Sequence, residues 1–505
     1  MLNKTQKNLN NQDPINELSN LNLYILGSVV LYIIWAWYSW GYIEDDAFIH
    51  LGYAKNIAES GSISFKGMHV NGDSSPAWIF LLAGLIKLIG NYFLSAKILS
   101  IFGVLIAVSG LYTLSKKQLN SNLLAYLFTL SIFSSPFTLH WSFSGMESIT
   151  ALGLTSWAIY FAFTNTPSKL IFFSACSFIG VLPLFRFELL PISLFVGTCL
   201  LISEETRTFN LKTRLISLII SSIPLVSWLS YSIIEFGSIV PTTNAAKHLF
   251  GNYSYWGGVI ACLIKEAQVI FVGFGIPLII TLTGLLLSIK NRNIVAELKK
   301  CDLRNHISTI ILILYPLACI SFYVLDRISV QTRYVVFFLP LFILGLYSIF
   351  TNLRRRNWVI YAVSGALLSN IFFFYTSVQP HVKNKVDLVQ NNSKFYNEIR
   401  LAIPENAPIA AFAIGQISLE LQNPIIDIGG IMMPEAIPYM TTPDKMTEWA
   451  YKKGAECFVS SRKPKDNFEK IATVNQPTLG WHLSRSSYLQ NSQTFLWCKV
   501  KTDLN

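Results

Sequence analysis

Long apolar runs separated by short polar breaks fill the chain up to about residue 378, and beyond that point the pattern changes. The runs fall near 21–40, 93–114, 123–139, 149–163, 170–184, 189–202, 215–234, 269–289, 307–325, 334–350 and 358–374. Many approach the ~20 residues that a helix needs to cross a bilayer. A shorter run at 77–89 is interrupted by Lys87 and reads as a re-entrant or juxtamembrane helix. From 378 onward charged residues return. Apolar–polar alternation predicts strands at 409–414, 424–428, 457–460 and 494–500, and helices at 394–401 and 446–453.

The fold class is therefore an α-helical polytopic membrane protein of about 11 spans, followed by a soluble α/β domain. The expected divisions are a cytoplasmic tail at 1–20, a transmembrane domain at 21–377 with its first external loop at 41–92, and an extracytoplasmic domain at 378–505. No small-residue cleavage site follows the first apolar run, so that run reads as an anchor.

Charge gives the orientation. Lys116 and Lys117, Lys169, Arg207 with Lys212 and Arg214, Lys290 to Arg304, and Arg354 to Arg356 lie in loops between runs. If 77–89 does not cross, all of them share the side of the N-terminal tail, which the positive-inside tendency makes cytoplasmic. The expected location is the bacterial inner membrane, with the C-terminal domain on the outer face. The net charge of +11 sits in these clusters and is no sign of nucleic acid. Only 13% of residues are charged, about half the share in soluble domains.

Seven cysteines show no metal-type spacing. Cys176, Cys199, Cys262 and Cys319 lie in apolar runs as small packing residues, whereas Cys457 and Cys498 could pair in an oxidising compartment.

With this topology the outer loops carry a selected set of groups. Glu44, Asp45, Asp46 and His50 follow the first span. His140, Trp141 and Glu147 come next. Arg186 and Glu188 stand in a break too short for a loop, Asn244 and Lys247 follow the 215–234 run, and Arg333 and Tyr334 precede a late span. An acidic triplet at a membrane surface can be a plain solvated loop, Arg186 and Glu188 a structural ion pair, and Lys247 or Arg333 a headgroup anchor. As one set they place carboxylates beside cations, the residue types that activate a hydroxyl and hold a phosphate. Adjacent residues point in different directions, so Asp45 and Asp46 are not expected to share a proton; one is expected to face the substrate while the other orients a neighbour such as His50 or Lys55.

Six blocks in the same order resemble the bacterial C-type (GT-C) glycosyltransferases, nearest the arabinofuranosyltransferase-like branch. They are residues 44–50 (EDDAFIH) with 52–59 and 72–78 (GDSSPAW), 141–147 (WSFSGME), 186–188 (RFE), 236–247 (FGSIVPTTNAAK), 333–340 (RYVVFFLP) and 426–430 (IDIGG). Phe187 stands where the family has proline, and Thr242 where it has asparagine. The resemblance implies transfer of a sugar from a polyprenyl-phosphate donor to a hydroxyl of a cell-envelope glycan or lipid-linked acceptor. It puts the base at Asp46 or Asp45, with Glu147 as a second acid, and the donor phosphate on Arg186, Lys247 and Arg333. Glu44, His50, Glu188, Asn244 and Tyr334 would support the site. No cofactor is required; a divalent cation on Asp45 and Asp46 would be compatible with the acids.

Other classes read less well. A flippase or transporter of lipid-linked glycans would show inverted repeats, and none is visible. A ligase or polymerase of such glycans would carry its large outer loop between late spans, whereas here the large outer region is terminal.

Overall fold

A computed structural model describes residues 27–163, 169–202, 209–246, 254–289, 303–328, 331–353, 355–440, 442–465, 467–477 and 493–499. The tail at 1–20, the basic cluster at 290–302 and Lys247 lie outside the described residues.

Apolar helices dominate. Five are long and apolar enough to cross a membrane: Tyr92–Leu119, Leu211–Phe236, Tyr255–Ser288, Ile307–Leu325 and the apolar part of Arg356–Ala402. A sixth is a broken pair, Asn122–Phe133 and Pro136–Ser142, bent by 69°. Gly27–Tyr38, Ser148–Ala162, Lys169–Phe185, Phe187–Ile202 and Leu339–Asn352 are apolar but shorter. The chain is thus a multi-pass membrane protein.

Two runs that read as single spans are interrupted. In the 123–139 run Ser135 caps the Thr138 amide and Pro136 starts the next helix, as its missing N–H and fixed φ favour in a first turn. The 334–350 run begins with one helical turn, Thr332–Val335, and restarts at Leu339–Asn352 with Pro340 in its first turn. Both breaks hold polar side chains near the first external loop. In that loop Asp45–Ser60 is a helix closed by Gly61 in the left-handed region. The 77–89 run forms the fourteen-residue helix Pro76–Ile89, about 21 Å long and short of the ~30 Å hydrocarbon core.

The expected boundary at 378 is bridged by helix. Arg356–Phe373 continues through a π-helical turn, Phe374–Val378, into Gln379–Ala402. The helix expected only at 394–401 therefore begins fifteen residues earlier, because His381, Val382 and Lys385 bury one face of it. Beyond it lies a five-stranded mixed sheet in the order β2-β1-β3-β5-β4. The strands are β1 Ile409–Ala411, β2 Ile425–Asp427, β3 Cys457–Ser460, β4 Phe468–Asn475 and β5 Gln493–Lys499. β1 runs parallel to β2 and β3, while β5 is antiparallel to β3 and β4. Cys457 and Cys498 face each other across β3 and β5 and form a disulfide.

One face of the sheet region has its own core, around Ala410, Ile426, Trp449, Phe458 and Phe468; the other is shared with the first loop. Ile49, Tyr53 and Phe65 of the first loop pack in one cluster with Tyr396, Ile399, Ile409, Ile417 and Met432. Ala47, Phe48, Leu51 and Ala54, on the other side of the same loop helix, belong to the bundle core. The helix Asp45–Ser60 is therefore clamped between bundle and sheet.

Candidate active site

The acidic triplet opens this clamped helix, and each acid has a different partner. Glu44 accepts from Lys385 Nζ at 2.8 Å and from the Tyr42 hydroxyl at 2.5 Å. Burial opposes its ionisation, but the Lys385 charge and these hydrogen bonds outweigh it and hold its pKa below the usual carboxylate range. Asp45 accepts from the Gln416 backbone amide at 3.2 Å. Burial, with the Asp46 charge beside it, pushes its carboxyl up to about 6. Asp46 pairs with Arg333. The two aspartates point apart, as the backbone argument requires.

Arg333 comes from the single turn Thr332–Val335, and its Nη2 donates to the Tyr334 hydroxyl at 3.1 Å. Its guanidinium also lies 5.1 Å from the Tyr334 ring centre. Arg186 approaches the same ring at 4.9 Å and Phe337 at 4.8 Å. Its Nη1 donates to Glu147 at 2.6 Å and its Nη2 to Glu188 at 2.9 Å. Glu188 accepts in turn from Tyr323 at 2.9 Å. Each arginine keeps a buried Nε with no partner among the described residues.

A second chain of contacts leads inward. Glu147 Oε2 is 3.3 Å from His50 Nε2, and His50 Nδ1 pairs with Asp73. Asp73 also accepts from the Ser75 amide at 2.6 Å, at the start of the next helix. Burial favours a neutral imidazole, but the Asp73 and Glu147 carboxylates overcome it and raise the His50 pKa to about 10. Glu147, buried between His50 and Arg186, is held well below the usual carboxylate range: burial opposes its ionisation, and the adjacent His50 and Arg186 prevail. His50 is therefore oriented by Asp73 and Glu147, and not by the aspartates of the triplet. The reason is position: His50 lies one turn further along the helix, on the side that faces the 141–147 segment.

The six ordered blocks meet in space. Glu44 N donates to Ser144 O at 3.0 Å, Trp78 Nε1 to Gly145 O at 2.9 Å, and Trp141 Nε1 to Thr332 Oγ1 at 2.8 Å. Gly145 has a φ of +86° with Ala47 close by, a conformation that glycine adopts without strain. Thr242 donates its amide to Asn71 O at 2.8 Å and its hydroxyl to Ile431 O at 2.6 Å. Asp427 fixes that last loop by accepting from the Gly429 and Met432 amides at 2.7 and 2.6 Å. Asn244 sits half-buried in the short helix Thr242–Ala246, its amide bonded to Pro241 O. Among the described residues no group of three or more His, Cys, Asp or Glu side chains is arranged to hold a metal ion.

Four contacts of the candidate site had no clear signal in the sequence: Asp73, Lys385, Tyr323 and the Gln416 amide. A fifth, Lys97, was discoverable as a lone charge inside an apolar run. Its buried ammonium donates to the carbonyls of Ser39 at 3.3 Å, Phe143 at 2.6 Å and Tyr42, tying the two loops that flank the triplet.

No protein-family model and no curated protein match the sequence. Solved structures do. The crystal structure of ArnT from Cupriavidus metallidurans bound to undecaprenyl phosphate aligns with a TM-score of 0.58 at 12% identity, over 96% of this chain and 98% of that one. The same protein in the apo state aligns with a TM-score of 0.53 at 12% identity, over 94% and 98%. The chain has an ArnT-like fold.

Proposed function

We propose that this protein is a membrane glycosyltransferase that moves a sugar from a polyprenyl-phosphate carrier to a hydroxyl of a cell-envelope glycan on the outer face of the inner membrane. The observation that carries this reading is the Asp46–Arg333 pair. It stands at the edge of a buried ionic network, with the Asp46 side chain one-third exposed and that of Arg333 8% exposed. The fold supports it: one of the two ArnT structures was solved with undecaprenyl phosphate bound.

In the reaction the bond between the sugar's anomeric carbon and the phosphate oxygen breaks. A bond from the acceptor oxygen to that carbon forms. The acceptor proton passes to a carboxylate, and polyprenyl phosphate departs with the electron pair. Phosphate is already a competent leaving group, so the protein has to supply a base and cations. Asp46 is the base in this reading. Arg333, with its unused Nε, holds the phosphate, and Lys247 is a further candidate. Because Arg333 is already paired, the incoming phosphate competes with Asp46 for it and frees that carboxylate for the acceptor hydroxyl. Arg186 and Glu147 keep the Tyr334 platform and the loop helix in place. The disulfide suits an oxidising compartment and so an external sheet region, with the eleven-span topology and a cytoplasmic N-terminus.

The test is reconstitution with polyprenyl-phosphoryl pentoses and hexoses, reading release of polyprenyl phosphate and labelling of an envelope-glycan acceptor. Asp45→Asn combined with Asp46→Asn should abolish both signals. Full activity in that double variant would remove the triplet from the mechanism. A reporter fused after Tyr375 should report from the outer side; a cytoplasmic signal would overturn the topology.

A further inference from the structure

The region beyond 378 touches the acidic triplet directly at two points. The Gln416 amide donates to the Asp45 carboxylate at 3.2 Å, and Lys385 pairs with Glu44 at 2.8 Å. At Gly415 the approach is as close as backbone allows: a Cβ there would lie 2.1 Å from the Asp45 carbonyl oxygen. The obstacle is main chain, which no rotamer change could move aside, so only glycine lets the two segments meet. Gln416 is itself anchored. Its side-chain amide donates to Val389 O at 2.9 Å, Ser393 Oγ at 3.1 Å and Glu420 at 2.8 Å, and its oxygen accepts from Asn392 at 3.2 Å. Val389, Asn392 and Ser393 all belong to the helix that also carries Lys385.

We propose that the C-terminal region is a working part of the active site, in which the Gln416 backbone amide and Lys385 are positioning groups. They hold Asp45 and Glu44 turned away, so that Asp46 alone of the triplet faces Arg333 and the substrate. The inference rests on the transferase reading. The geometry gives it a reason: three adjacent carboxylates repel one another, and without separate partners the two neighbours would compete with Asp46 for Arg333. The other charged and titratable groups facing Asp45 are Asp46 and Glu44 on its own segment and Lys385 and Tyr396 on the C-terminal helix. Gln416 is the group that meets the Asp45 carboxylate from the sheet side.

The test compares Gln416→Pro with Gln416→Ala in the full-length protein. Proline removes the amide hydrogen at the second residue of the helix Gly415–Glu420, where a helix does not need it. Alanine keeps the amide and removes only the side chain. Three quantities are read: kcat and KM for release of polyprenyl phosphate from the sugar-loaded donor, and binding of undecaprenyl phosphate alone. Gln416→Pro should lower kcat by roughly 100-fold, the scale of a ~1 Å misplacement of a catalytic group. Undecaprenyl phosphate affinity should change less than about threefold, and Gln416→Ala, which loses the anchoring side chain but keeps the amide, should lose at most about tenfold in kcat. A Gln416→Pro enzyme as fast as Gln416→Ala overturns the proposal. If Gln416→Pro also loses undecaprenyl phosphate binding, the pair Lys385→Met and Lys385→Arg decides. Methionine should lower kcat at least about tenfold and arginine restore it, while equal rates for methionine and the parent overturn the proposal. A parent protein that releases no polyprenyl phosphate from any donor counts against the transferase reading itself.

Discussion

Two of the ionic clusters on this face are built differently. One runs from Asp73 through His50, Glu147 and Arg186 to Glu188, with side-chain exposures of 7% for His50, 1% for Glu147 and 4% for Arg186. Most of its members have two charged partners. The other is the pair Asp46–Arg333, in which Asp46 is 34% exposed and has a single charged partner. A buried cluster with its charges matched is costly to disturb, because removing one member strands another away from water. A pair whose carboxylate is one-third exposed can exchange partners with a ligand at lower cost. On the proposed reading the first cluster is scaffold and the second is where an incoming anion acts.

That contrast can be broken by experiment. The largest effect is expected at Asp46. Asp46→Asn should cut kcat by ~10²–10⁴-fold, the usual contribution of a general base, with little change in thermal unfolding; a modest loss of rate would end the comparison in its present form. Glu147→Gln should do the reverse, costing about 3–5 kcal/mol of stability as His50 and Arg186 lose their shared carboxylate. Thermal unfolding in detergent measures this, and a variant as stable as the parent would make Glu147 a working group instead of scaffold. Arg333→Ala should weaken undecaprenyl phosphate binding by about 10–100-fold, the worth of one or two charged hydrogen bonds, as titration of the lipid would show.

The smallest effect concerns pH. The folded-state pKa of His50 is raised to about 10 from the ordinary 6.5. Its stabilisation is therefore complete below about pH 6.5, declines above it and is gone once the pH passes about 10. The difference in unfolding temperature between the parent and His50→Gln should shrink across that interval. A difference that stays constant would mean that His50 is held neutral.

Much of this architecture was legible from apolar runs and turn residues. β3 matches its expected span to the residue, and the Cys457–Cys498 pairing follows from two cysteines in facing strands. β4 was not legible. Its buried positions, Phe468, Ala472 and Val474, keep the two-residue phase, but the exposed Lys470 stands in that phase beside the Lys470/Ala472 bulge and interrupts the apolar alternation. The membership of the site was legible as a set of residue types. The pairings inside it were not. Asp73 reads along the chain as a turn residue, and only folding brings it to His50. Lys385 reads as one polar residue among many. Gln416 acts through its backbone amide, a group that every residue except proline carries and that leaves no mark on a sequence.

The clamped position of the helix Asp45–Ser60 has a consequence for how the protein is made. The contacts that hold Glu44 and Asp45 span 341 and 371 residues of chain. One face of this helix can pack as soon as the early membrane helices assemble, but its other face is covered only in part, by Phe65 and Ile79, until Ile409, Ile417 and Met432 have been synthesised. The triplet must therefore wait, half-docked, through the making of almost the whole bundle. Loop-closure entropy over such a distance is recovered only when the final segment seats. A chain truncated before the sheet would reach the membrane with its charged residues in place and its carboxylates unsorted, lacking the partners that hold Glu44 and Asp45.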